Sequence, residues 1–188
     1  MPLEQEKNHT YADYASWDDS VPRCELIEGV PVLMSPGPGR AHQWSSGRLF
    51  SKIDRFLEGK RCQIYAAPFD VRLNGLGDED DTVVQPDLSV ICDLDKLDDK
   101  GCNGAPDMVI EILSPSNQKH DRYTKLELYQ HAGVREYWIV DPEAKTVQAN
   151  ILNDGQYIIS IYDSEIRSTI PVHVLEGLEI PIKDIFEE

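Results

Sequence analysis

Apolar residues change their spacing along this chain, and each change marks a predicted element. Over residues 41–57 the apolar positions Trp44, Leu49, Ile53, Phe56 and Leu57 recur near the 3.6-residue period of a helix with one face on a core. Gly59 stands where such a helix ends. A second helix is predicted over residues 119–132, capped by Ser116 or Asn117 and closed by Gly133. Elsewhere the apolar runs are short, as in strands. Residues 25–27 and 30–33 flank Glu28-Gly29, a hairpin signal. Residues 63–66, 69–73, 88–92 and 108–113 are apolar runs divided by turn-rich and acid-rich loops, with a Pro/Gly loop at 35–39. Residues 136–140 form a rich strand that Asp141-Pro142 breaks, and residues 146–152 and 157–162 read as a hairpin around Asn153-Asp154-Gly155. Short apolar stretches at 172–175 and 178–182 complete the tail.

The order is hairpin, helix, several strands, helix, strands. That pattern predicts a mixed α/β (α+β) domain, a central sheet flanked by helices. It is not a regular β-α-β alternation, and no G-x-G-x-x-G or phosphate-binding loop is present. Residues 21–188 read as one domain, and residues 1–20, without clean periodicity, as a loose extension.

Composition narrows the partners. No apolar run reaches the roughly 18 residues of a membrane span, and the polar start of the chain lacks a signal peptide's features, so a cytoplasmic protein without a membrane partner is expected. The four cysteines, Cys24, Cys62, Cys92 and Cys102, form no C-x-x-C pair and read as reduced thiols. The formal net charge of −16 argues against broad binding to nucleic acid. Much of the acid is clustered, at Asp78-Glu79-Asp80-Asp81 and around Asp93, Asp95, Asp98 and Asp99, and these runs read as solvated loops.

Three charges stand where the pattern calls for apolar side chains. Asp87 starts the strand of V-V-Q-P-D-L-S-V-I. Glu111 lies inside residues 108–113, where alternation puts Asp107, Val109, Glu111 and Leu113 on one face and Met108, Ile110 and Ile112 on the other. Both faces read as buried, and an unpaired carboxylate there costs about 2–7 kcal/mol. Lys125 shares a helical face with Leu128, Tyr129 and Ala132. Taken singly, each has a bland reading: a turn carboxylate, a buried ion pair, a lysine with its stem packed and its ammonium in water. E-Y-W-I-V at 136–140 reads as a buried strand rather than a base-stacking platform. Ser114-Pro115-Ser116 reads as a helix-entry loop rather than a nucleophile.

Together and in order, these residues resemble the PD-(D/E)-x-K nuclease superfamily, with the lysine displaced. The position two residues after the acid is Leu113, and Lys125 on the following helix would fill the same space. The strings C-E-L-I-E-G-V-P-V-L-M-S-P, A-H-Q, Q-P-D-L-S-V-I, G-A-P-D-M-V-I-E-I-L-S-P-S and K-L-E-L-Y-Q-H-A-G-V-R-E-Y-W-I-V-D-P resemble one bacterial group, the Uma-two family of restriction-endonuclease-like proteins. The resemblance implies a restriction-endonuclease-like fold and a Mg²⁺-dependent (or Mn²⁺-dependent) nuclease acting on DNA. Asp87 and Glu111 would be the metal ligands, with Lys125 as the third catalytic residue. Glu25, His42 and Asp70 are further candidates. A homodimer is expected by analogy with nucleases that cut both strands. The rival reading is a catalytically silent module that keeps the fold. The rivals are distinguished by whether Lys125 turns to the carboxylates or to solvent.

Overall fold

The computed structural model describes residues 8–18, 20–34, 37–114 and 123–187. In chain order it runs through α1 (Tyr11–Ala15), β1 (Cys24–Ile27), β2 (Val30–Leu33), α2 (Arg40–Leu57), β3 (Gln63–Ala66), β4 (Val71–Arg72), β5 (Val83–Val84), β6 (Leu88–Ile91), β7 (Leu97–Asp98), β8 (Gly101–Asn103) and β9 (Met108–Ile112). After α3 (Lys125–Ala132) come β10 (Glu136–Asp141), β11 (Thr146–Asn153), β12 (Gln156–Tyr162), β13 (Thr169–Pro171), β14 (Glu179–Pro181) and α4 (Lys183–Phe186). This is a mixed α+β architecture, as the alternation of periods predicts.

The central sheet has the order β12-β11-β10-β9-β6-β3. Its β9–β10 pair is parallel and its other pairs are antiparallel. A parallel neighbour cannot be reached by a tight turn. The chain crosses between β9 and β10 through α3 instead, which puts that helix over one face of the sheet. Strand alternation then divides the core. Met108, Ile110, Ile112, Trp138 and Val140 pack with Leu49, Ile53 and Leu57 of α2 and with Ile170, Ile180 and Ile185 of the tail. Val109, Leu113, Tyr137 and Ile139 pack with Tyr129 of α3. Because both faces are covered, β9 and β10 are buried along their whole length.

α2 buries His42, Ser45, Leu49, Ile53 and Leu57, a spacing of three or four residues. Trp44, expected on this stripe, is instead 36% exposed with the Arg48 guanidinium over its ring. Helical phase explains the miss: the inward positions at the N-terminal end are the polar His42 and Ser45. α3 begins at Lys125, after a wider helical turn at Tyr123 and Thr124. The expected caps Ser116 and Asn117, and Lys119, lie outside the described residues. The helix ends at Gly133, whose φ of 83° suits a residue without Cβ, and Val134 N–H bonds back to the Tyr129 carbonyl.

The second sheet has the order β2-β1-β5-β4-β8-β7. Its β1–β2 hairpin turns on Glu28 and Gly29, with φ of 49° and 77°, the left-handed pair of a two-residue hairpin turn. Three further expectations are corrected. Residues 8–18 are not loose: α1 docks with Tyr11 buried against Leu26 and Val83, and Tyr11 N–H donates to the Asp80 carbonyl. The aromatic residues Tyr11, Tyr14 and Trp17, three apart, give this segment the apolar face that docks it on Leu26 and Val83. The acid runs are not merely solvated. Asp80 is fully buried and accepts from the backbone N–H groups of Asn74, Leu76 and Thr82, while Asp98 pairs with the buried Arg72 at 2.6 Å. Finally, Cys62 and Cys92 form a disulfide rather than remaining thiols, because antiparallel β3–β6 pairing sets Gln63 opposite Ile91 and so brings their neighbours together. Cys24 and Cys102 are free and buried.

Candidate active site

Register builds the site. β6 and β9 pair with Leu88 opposite Ile110, so one step further Asp87 falls opposite Glu111. Glu111 turns to the face that α3 covers, while Asp87, one residue ahead of β6, reaches the Ile112 N–H and His42 of α2. Asp87 follows Pro86, which removes a backbone donor and starts the strand. Its own N–H reaches toward Glu111 Oε2 at 3.4 Å. Its Oδ2 accepts the Ile112 N–H at 2.7 Å and lies 3.1 Å from His42 Nε2.

Glu111 is 3% exposed, and its Oε1 accepts two hydrogen bonds from α3. Lys125 Nζ and Tyr129 Oη, one helical turn apart, each lie 2.8 Å away. Burial, then the Glu111 carboxylate, push the Tyr129 phenol well above its ordinary value, so it stays a donor. Lys125 is 4% exposed, and its ammonium also reaches Glu25 Oε1 at 3.0 Å. It therefore turns to the carboxylates and not to solvent. Glu25 arrives from β1 in the other sheet, and the same oxygen accepts the Gln85 N–H at 2.9 Å. Two buried carboxylates thus flank one buried lysine.

The structure brings Asp87, Glu111 and Lys125 into one cluster and adds Glu25 and His42 to it. Asp70 stands one shell out: it accepts from Gln85 Nε2 at 2.7 Å, and Gln85 Oε1 takes the Arg23 guanidinium at 2.6 Å. The Tyr14 phenol near this group is pushed up by burial and then by Asp70. Tyr129 and Gln85 escaped the sequence reading. Tyr129 could have been found, since it shares the helical face of Lys125. Gln85 gives no sequence signal, because its role depends on the meeting of the two sheets.

Among the described residues no group of three or more His, Cys, Asp or Glu side chains is arranged to hold a metal ion. Asp87 and Glu111 together still offer hard oxygen ligands on neighbouring strands. That donor set suits a Mg²⁺-type cation, which uses one or two carboxylates and completes its shell with water and substrate oxygens. Among the described residues no helix is long and apolar enough to cross a membrane.

The chain belongs to the Uma2 family, described as "Putative restriction endonuclease", whose model matches residues 10–183. It is 27% identical over 158 residues to an uncharacterized protein of Synechocystis sp., a match spanning 82% of this chain and 80% of that one. Its fold is shared with the crystal structure of a chain from Anabaena variabilis titled a putative nuclease of DUF820. The TM-score is 0.74 at 24% identity, covering 94% of this chain and 97% of that one.

Proposed function

We propose that this protein is a metal-dependent endonuclease that hydrolyses phosphodiester bonds of DNA in the cytoplasm. The observation that carries this reading is the placement of Asp87 and Glu111 across adjacent antiparallel strands, with the Lys125 ammonium 2.8 Å from Glu111. The family description and the nuclease title of the Anabaena neighbour support it. Asp87 and Glu111 would hold Mg²⁺ or Mn²⁺. Bound there, the ion would supply a water of lowered pKa and would polarise a phosphoryl oxygen. The chain's own residues do the rest. Lys125, held 2.8 Å from Glu111, would place a fixed positive charge beside the cation site, offsetting negative charge that gathers on the phosphoryl group. Glu25 holds that ammonium from the far side, and Tyr129 fixes the Glu111 carboxyl in one rotamer. No reorganisation of these groups is needed when substrate arrives, because each is already buried and bonded.

The second reading, a silent module of the same fold, is favoured by one observation: an ammonium held between two buried carboxylates is also the form of a structural ion pair. One experiment separates the two. Thermal melting is followed with millimolar Mg²⁺ or Mn²⁺ for the wild type and for an Asp87→Asn, Glu111→Gln double variant, and both are assayed for plasmid nicking. A ligand that binds only the native state adds about 2.7 kcal/mol at a hundredfold excess over Kd. The expected result is a metal-dependent rise in Tm and nicking in the wild type alone. Equal melting shifts in the two proteins reject the metal site. A shift without nicking on any DNA substrate selects the silent module.

A further inference from the structure

His42 is the third residue of α2, on the helix face turned to the sheet, and it is 8% exposed. Its Nε2 lies 3.1 Å from Asp87 Oδ2. An ionised carboxylate only accepts, so the hydrogen must sit on Nε2. The ring's other nitrogen, Nδ1, is buried and has no hydrogen-bond partner among the described residues. Among the described residues the imidazole therefore makes one hydrogen bond, and that bond goes to Asp87.

The geometry at Asp87 shows what this bond does. Oδ2 already accepts the Ile112 N–H at 2.7 Å, a donor fixed by strand β9. With His42 it takes a second donor, from a helix on the opposite side of the sheet. A carboxylate oxygen has two lone-pair sites, and both on Oδ2 are thereby engaged. Oδ1 receives no hydrogen bond from the described residues. Two donors from two different elements also fix the plane of the carboxylate, since either alone would leave rotation about the Cβ–Cγ bond.

We infer that His42 is a positioning residue: with the Ile112 N–H it pins Oδ2 of Asp87, so that Oδ1 is the oxygen presented to the cation. The inference rests on the metal-binding reading above. It also explains a polar side chain on the first inward turn of a helix whose later inward positions are Leu49, Ile53 and Leu57. Hydrogen-bond partners that orient metal-binding carboxylates typically change metal affinity or activity by about 10–100-fold when removed.

Three variants test it, all titrated with Mn²⁺ by calorimetry on metal-free full-length protein, with the metal-free Tm measured separately. His42→Leu fills the space without a donor. His42→Asn keeps a polar amide too short to reach Asp87. His42→Gln carries an amide N–H out to about the place of Nε2. The expected result is Mn²⁺ affinity about 10–100-fold weaker for Leu and Asn, and affinity near the wild type's for Gln. If His42→Leu does not fold, the contrast between Asn and Gln decides. Lowered metal-free Tm with unchanged Mn²⁺ affinity in all three makes His42 a packing residue and overturns the inference, while the metal reading stands. Equal loss in all three, Gln included, makes the imidazole itself a ligand and also overturns it. A wild type that binds no Mn²⁺ overturns this inference together with the reading it rests on.

Discussion

Lys125 is the residue on which the two functional readings differ most, and its surroundings set the cost of losing it. Its ammonium is the shared partner of Glu25 and Glu111, at 3.0 and 2.8 Å, with all three side chains at most 5% exposed. Removing one member of a buried ionic group leaves the others charged and unsatisfied, which costs about 3–5 kcal/mol. Lys125→Met is therefore expected to lower stability by that amount in chemical denaturation, despite the good fit of the methionine stem. Adding Glu25→Gln should recover part of the loss, because one of the stranded carboxylates is then gone. A single variant as stable as the wild type would show that the ammonium does not hold the carboxylates. Residue-level legibility follows from the same point. Asp87, Glu111 and Lys125 stood out because each breaks an apolar pattern, and burial makes such a break costly. Glu25 and His42 broke no strong pattern, and their meaning came only from the groups they touch. Gln85 joins Arg23 to Asp70 from a turn between strands, where a polar residue is ordinary.

At the scale of elements, the legible pieces were those whose period repeats long enough to register. α2 and the β11–β12 hairpin are of that kind. β5, β7 and β8, two or three residues each, are too short for any period and went unread. The C-terminal tail was read as apolar stretches without a destination, and the structure supplies one. Glu136 on β10 is fully buried, and it accepts Val174 N–H and Trp138 Nε1 at 2.8 Å each. Burial raises its carboxyl above the ordinary value despite these bonds. In the window between the unfolded value, about 4.3, and the raised folded value, the native state binds more protons than the unfolded one. Stability from this group is thus complete below the unfolded value and is lost as pH rises through the folded one. Glu136→Gln cannot titrate. Its Tm relative to the wild type is expected to climb as pH rises from the unfolded value through the range in which the folded carboxyl titrates, and then to level off. A relative Tm that falls over that range would mean that the two hydrogen bonds, not burial, set the charge state.

For the whole molecule, the net charge of −16 sets a self-repulsion that no single contact shows. Raising the ionic strength from about 0.01 M to about 0.15 M shortens the screening length from about 30 Å to about 8 Å. Tm is expected to rise over that interval. A fall would mean that surface pairs such as Lys100–Asp78 outweigh the repulsion. The arrangement of the site across the molecule also bears on how the protein is made. Glu25 and Lys125 are 100 positions apart. A ribosome adds about 5–20 residues per second, so Glu25 emerges on the order of 5–20 seconds before the cation that lets it be buried, and Glu111, 14 positions ahead of Lys125, on the order of one to three seconds before it. A translation product cut short before α3 would carry Glu25, Asp87 and Glu111 with no lysine to draw them together. Interrupted synthesis would then leave a fragment that lacks both the buried ion cluster and strands β10, β11 and β12 of the central sheet.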